Sequence, residues 1–341
     1  MLKSEWMRKK KNKILNIVKF FWGECFSPWK TFFDFFLFLR LLFFSFSFFK
    51  IIKNLGMPKN LYIIKNYLKN IQTPQKNRGI KKMNLKGVEK TMLLTLYAKA
   101  KHSQEKNHKF YDEKAIEIIS QIDYDFSIAK KDKFMQLGTI SRTIVLDKMV
   151  NNYIKKHPHC TIINIASGMD TRFNRLDNGK IIWYNIDLEN SAKYRLKYIK
   201  DTERVTTLAY SAMDPKCANK IQIRKDTLFI IEGLTMYLNQ KDVEDIINII
   251  DANFNTCTIF MEIMPPISVK NTKEKSIEDT NTKFTWGVEK GHELTKFNQN
   301  FKWINDVNLF DGVNIYKPHY KIITWLPYLR KKMDYIAVLE K

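Results

Sequence analysis

Cysteine is scarce and scattered: Cys25, Cys160, Cys217 and Cys257 lie far apart, with no CxxC pair. That excludes a disulfide framework and the common zinc or redox spacings. It fits buried thiols in a reducing, cytoplasmic compartment. His157 and His159 flank Pro158 without further ligands nearby, so they read as a surface turn, and no metal site is expected. Glycine is also sparse, 11 in 341 residues. No stretch carries the three glycines of a GxGxxG pyrophosphate cradle. Internal repeats are lacking. Acids are nearly absent from the start of the chain, where residues 1–82 hold 18 Lys and Arg against Glu5, Glu24 and Asp34. The remaining 259 residues hold 40 against 32. The net charge of +23 therefore belongs mostly to the N-terminal stretch. Basicity is not read as a nucleic-acid interface.

What is present begins with residues 31–52, TFFDFFLFLRLLFFSFSFFKII. The run is long enough to cross a bilayer, which takes about 20 apolar residues. Arg40 near its centre opposes that, at about 2.5–3.5 kcal/mol. A span, a membrane-surface helix and an extension without a fixed fold all remain open. The positive charge in residues 9–13 would keep the N-terminus cytoplasmic. No small-residue cleavage site follows, which argues against a cleaved signal peptide. Residues 53–87 read as a linker. Met83 marks the expected start of the globular part, with residues 1–82 an accessory extension or a misassigned start, and one domain over 83–341.

The chain is organised around residues 161–175, TIINIASGMDTRFNR. The β-branched Thr161, Ile162, Ile163 and Ile165 suit a buried strand. Ala166-Ser167-Gly168 lacks bulk, so a ligand can approach the backbone closely. Asp170 or Thr171 is placed to cap a following helix. A second apolar strand over 181–186 ends at Asp187, nineteen positions after Gly168. Strand, glycine turn, helix and acid-tipped strand form a nucleotide-binding layout in which the acid takes ribose hydroxyls. A turn with a single glycine suits a nucleoside without phosphates, such as S-adenosylmethionine. An ordinary β–α–β unit with a surface Asp fits the spacing equally well.

Apolar periodicity predicts helices over 90–100, 112–122 and 140–155 before this unit. A basic helix over 191–199, strands over 205–208 and 228–231, a helix over 241–250 and strands over 256–263 and 335–339 follow. The alternation implies an α/β, Rossmann-like fold, a mostly parallel sheet with helices on both faces. Ligands of such sheets lie beyond the carboxyl ends of the strands. Four strand ends converge there: Ala166 to Gly168, Asp187, Ser211 to Asp214, and Glu232.

Several segments, in this order, resemble the leucine carboxyl methyltransferase family, which includes polyketide O-methyltransferases of the tetracenomycin type. They are KTMLLTLYAKA (90–100), FYDEKA (110–115), SRTIVLDKMV (141–150), NIASGMDTRFNRL (164–176), WYNIDLE (183–189), SAMD (211–214), EGLTMYL (232–238) and FTWG (284–287). The resemblance implies a class I methyltransferase fold and S-adenosylmethionine as cofactor. It implies that Arg142, helped by Lys99, meets the methionine carboxylate. The turn at Ala166 and Gly168 would pass beneath methionine and ribose, and Asp187 would take the ribose hydroxyls. Ser211 and Ala212 would lie beside the adenine, with Asp214 as an alternative polar contact. Glu232 would sit near the amino group or the transferred methyl. Two positions depart from the family: Ala166 stands where glycine is usual, and Ser211 where some members have an acid.

The expected reaction is methyl transfer to a carboxylate or a phenol or enol oxygen of a small, polyketide-like molecule. No catalytic base is identifiable. The helices before Arg142 and residues 286–301 are the expected substrate lid. A protein C-terminal carboxyl methyltransferase and a non-catalytic, membrane-tethered cofactor-binding module are the alternatives. A nucleic-acid acceptor is not expected, because Glu232-Gly233-Leu234 stands where an Asn-Pro-Pro-aromatic motif would lie.

Overall fold

The computed structural model describes residues 90–271 and 283–341. The expectations for residues 1–82, the apolar run over 31–52 and the linker included, lie outside the described residues. The helices are α1 Thr91–Ser103, α2 Glu113–Gln121, α3 Ser127–Lys131, α4 Lys133–Lys156, α5 Arg172–Leu176, α6 Glu189–Tyr198, α7 Gln240–Asn253, α8 Pro266–Asn271 and α9 Phe310–Tyr316, with two single turns after α9. The strands are β1 Thr161–Ile165, β2 Ile182–Asp187, β3 Val205–Ala209, β4 Thr227–Ile231, β5 Thr258–Ile263, β6 Lys302–Asn308 and β7 Tyr335–Glu340.

The seven strands form one sheet in the order β3-β2-β1-β4-β5-β7-β6. β1 to β5 pair in parallel, and β7 runs antiparallel to both β5 and β6. This is the expected Rossmann-like class I arrangement. β1, β4 and β5 are buried at every residue, as parallel strands covered on both faces must be. Alternate side chains serve opposite cores. Ile163, Ile165, Phe229 and Ile231 pack with Val243, Ile246, Ile247 and Ile250 of α7. Ile162, Leu228 and Ile230 pack with Val145, Leu146, Val150 and Ile154 of α4. A third core joins α1 and α2 to Met169 and Tyr194.

α3, α8 and α9 have no counterpart among the expected elements, and α4 and β6 also differ from expectation. α4 begins seven residues before Ile140, capped by Asp132, which accepts from Met135 N at 2.9 Å. Its first turns are held by polar bonds, Gln136 Nε2 to Ala129 O at 2.5 Å and Lys101 Nζ to Gln136 Oε1 at 2.8 Å, which leave no apolar stripe to read. β6 is an exposed edge strand over most of its length, so it too lacks a buried pattern.

The strand order reverses between β1 and β4. β1 lies between β2 and β4, with Ile165 opposite Ile186 on one side and Ile231 on the other. The loops leaving β1 and β4 diverge, and the crevice between them is where open α/β sheets bind ligands.

Candidate cofactor site

The site starts with the turn after β1. Ala166 and Gly168 both adopt left-handed backbone conformations, with φ of 52° and 47°. At Gly168 a Cβ would lie 3.0 Å from Met92 Cβ, so the position requires glycine for both reasons. Ser167 N donates to Ile186 O at 3.2 Å. Gly168 N donates to Asp187 Oδ2 at 2.6 Å, and Leu188 N to Asp187 Oδ1 at 2.8 Å. Asp187 thus latches the turn to the end of β2. Each carboxylate oxygen keeps further acceptor capacity. Burial pushes the Asp187 carboxyl up, against the two amide hydrogen bonds and the Ser191 side chain, which favour its charge.

Behind the turn, Arg195 of α6 is buried and donates from Nη1 to Gly168 O at 3.1 Å and to Asp170 O at 2.6 Å. Burial lowers its pKa to about 10, against the attraction of Asp170 and Asp187. It fixes the carbonyl side of the turn while Asp187 fixes the amide side.

A buried ion network crosses from this turn to β4 and β5. Arg172, fully buried, pairs with Asp147 at 2.8 Å, Asp170 at 2.6 Å and Glu232 at 2.7 Å. Asp170 also takes Lys99 Nζ at 3.4 Å and Asn164 Nδ2 at 2.9 Å. Arg175 joins Asp147 at 2.8 Å and Asp112. Arg142 bridges two acids, with Nε 2.8 Å from Glu232 Oε1 and Nη1 3.1 Å from Glu262 Oε2. Gly233 N donates to the same Glu262 oxygen at 2.6 Å.

Burial alone would raise Asp170 and Glu232. The surrounding guanidinium groups and Lys99 outweigh it: Asp170 is held far below the carboxylate range and Glu232 at about 2. Glu262 goes the other way, raised by burial and by Glu232 against the pull of Arg142. One acid of the Arg142 pair is therefore firmly ionised and the other reluctant to be.

These groups surround a cleft of about 250 Å³ beyond the carboxyl ends of β1, β2 and β4. Lys99, Arg142, Ala166, Gly168, Asp187, Ser211, Ala212 and Glu232 all line it. Its apolar wall includes Met92, Met213, Leu234, Leu238 and Ile246. Asp214 is not in the lining. Its side chain accepts from Lys216 N at 2.9 Å and caps the short helical turn over Pro215–Lys220, the local role that Asp favours at such a position. Ser211 Oγ accepts from Met213 N at 3.2 Å, which shapes the loop after β3.

Of the helices before Arg142, α1 lines the cleft through Thr91, Met92, Thr95 and Lys99, and α2 and α3 do not. Nor do residues 286–301. Leu294 and Phe301 are buried in the core beside α7, with Trp286 packed against them. Their aromatic character serves that core. Sequence reasoning assigned no role to Arg172, Arg195, Asp147 or Glu262. Glu262 did leave a signal, as a lone charge in the apolar run IFMEIM, since unpaired acids are almost never fully buried.

The donor set can be tested against a nucleoside sulfonium ligand. Ser167 lines the cleft, and its buried Oγ has no hydrogen-bond partner among the described residues. Asp187 has acceptor capacity beyond its bonds to Gly168, Leu188 and Ser191, Glu232 is anionic toward a cation, and an apolar wall remains for a base. The residues fit such a ligand.

Comparison with known proteins gives the same direction. The family model described as leucine carboxyl methyltransferase matches residues 92–251, from α1 into α7. The chain is 25% identical over 209 residues to the tetracenomycin polyketide synthesis O-methyltransferase TcmP of Streptomyces glaucescens, covering 60% of this chain and 77% of that protein. It is 27% identical over 238 residues to the S-adenosyl-L-methionine-dependent methyltransferase dpfgK of Gibberella zeae, covering 62% and 79%. The solved magnesium protoporphyrin IX methyltransferase of Synechocystis, with bound SAH, overlays at a TM-score of 0.42 and 7% identity, over 67% of this chain and 95% of that one. That overlay is too loose to carry an argument; strand order carries the fold.

Proposed function

We propose that the chain, whose residues 92–251 match the leucine carboxyl methyltransferase family model, is a member of that family and an S-adenosylmethionine-dependent O-methyltransferase. Its acceptor is a carboxylate or a phenol or enol oxygen of a small molecule. The observation that carries this reading is the facing of two preset acids across the strand reversal. Asp187 is locked to the Gly168 amide at 2.6 Å, and Glu232 is held ionised between Arg142 and Arg172.

S-adenosylmethionine, when bound, supplies an electrophilic methyl group. The chain then has to bind, align and keep water out. Asp187 would take the ribose hydroxyls on its remaining lone pairs. Glu232 would meet the α-ammonium. Ala212, Leu234 and Ile246 would offer apolar surface to the adenine. Arg142 already bridges Glu232 and Glu262, so a ligand carboxylate would share a guanidinium that is fixed in place beforehand, with Lys99 as the second cation. A carboxylate acceptor needs no base, and none of the described groups is assigned as one.

The test is calorimetric titration of the protein with S-adenosylmethionine and with S-adenosylhomocysteine, followed by a methyl-transfer screen of small carboxylates and phenols. Binding of both ligands is expected. A folded sample that binds neither would sink the reading.

A further inference from the structure

The segment between α9 and β7 carries a patch that the cleft does not use. Ile322 is 83% exposed, Trp325 80%, Tyr328 66% and Leu326 53%. No residue of 310–332 lines the cleft. A cluster of this kind on a folded surface marks an interaction site. Its setting is cationic. Between Asp311 and Asp334 the sequence holds Lys317, Lys321, Arg330, Lys331 and Lys332 and no acid. Arg330 Nη2 pairs with Asp311 at 2.9 Å, so the patch's charge rests on the four lysines. Lys332 Nζ lies 4.1 Å from the Tyr328 ring centre, and Lys317 Nζ 4.3 Å from that of Tyr316. The patch is fixed to the body of the protein. Asn308 Nδ2 and the Tyr335 hydroxyl both donate to Arg330 O, at 2.9 and 2.8 Å, and Ser268 Oγ donates to Lys332 O.

We propose that this patch docks the protein on an anionic phospholipid membrane. Trp and Tyr are the residues that settle at the headgroup level, with apolar neighbours reaching the acyl boundary. Lysines beside them add attraction to anionic lipid, which a stretch free of acids does not cancel. A protein partner would be expected to meet the four lysines with acids set in register, whereas a lipid surface meets them without any register.

The experiment is flotation of the full-length protein with vesicles of phosphatidylcholine alone and with about 30% phosphatidylserine, an anionic leaflet that lysines sense. Two variants are compared with the parent: Ile322→Ser/Trp325→Ser/Tyr328→Ser and Lys321→Glu/Lys331→Glu. All five positions are exposed and outside the cleft, so the thermal transition and S-adenosylmethionine binding should not move. The parent should float with the anionic vesicles, and each variant should lose about tenfold or more in partition. Equal flotation of parent and variants would place any membrane affinity elsewhere in the chain, the apolar run over 31–52 included, and overturn the proposal. Equal flotation with neutral vesicles overturns it too. So does a parent that does not float, whether it is a monomer or a dimer that the serine variant dissociates.

Discussion

Ala166 carries a φ of 52°, a conformation that costs an L-residue with a Cβ about 1–2 kcal/mol. Glycine would remove that strain and lose part of the gain to its larger unfolded-state entropy. Ala166→Gly should therefore raise stability by about 0.5–1 kcal/mol in urea denaturation, without weakening cofactor binding. Gly168→Ala is the opposite case. It combines a φ of 47° with a Cβ 3.0 Å from Met92 Cβ, and should lose about 1–3 kcal/mol of stability along with cofactor affinity. Asp187→Ala removes both the latch on Gly168 and the proposed ribose contact. A loss of about 1–3 kcal/mol in calorimetric affinity is expected, the range for hydrogen bonds to a charged group. Unchanged affinity would show that the ribose lies elsewhere.

Among elements, α6 and α9 hold the site from behind. Arg195 reaches from α6 to two carbonyls of the turn. Arg195→Met would leave both buried acceptors unmatched, at about 1–3 kcal/mol each. It should lower the melting temperature and cofactor affinity together, although Arg195 does not line the cleft. Gly312 lets α9 pack directly on α4, because a Cβ there would lie 2.1 Å from Ser141 O, a backbone atom one residue before Arg142. Gly312→Ala must push the helices apart, and overpacking of that kind costs about 1–3 kcal/mol.

For the whole molecule, the buried ion network sets the response to acid. The Glu232 carboxyl is held at about 2 against an ordinary 4.5, and Asp170 is held low by the same cations. A folded-state pKa below the unfolded one contributes stability that is complete above the unfolded value and is lost as pH falls through the folded one. Unfolding free energy should thus decline from about pH 4.5 toward pH 2. Glu232→Gln should flatten that decline while lowering stability at neutral pH, because the buried Arg172 and the half-buried Arg142 are left with one anion fewer. Among the described residues, which begin at Lys90, a seven-strand sheet and a lined cleft are both present. We therefore propose that residues 83–341 fold and bind cofactor without the N-terminal 82; an insoluble or cofactor-blind truncation would move that boundary.

The β–α–β core was set by local pattern, because burying one face of a helix forces a periodic apolar stripe and burying both faces of a strand forces a continuous apolar run, both visible in the order of residues. The nineteen-residue step from Gly168 to Asp187 was legible for the same reason, being set by one short helix, its loops and one strand. What only the tertiary structure decided are pairings between distant positions. Arg142 meets Glu262 across 120 residues, Arg172 meets Glu232 across 60, and Arg195 reaches Gly168 across 27. Such contacts depend on approaches of about 3 Å between side chains that share no periodicity, so no spacing rule announces them. The capping role of Asp214, the burial of Leu294 and Phe301, and the exposure of Trp325 follow from the same cause: the sequence states what each residue can do, and the packing of distant segments chooses what it meets.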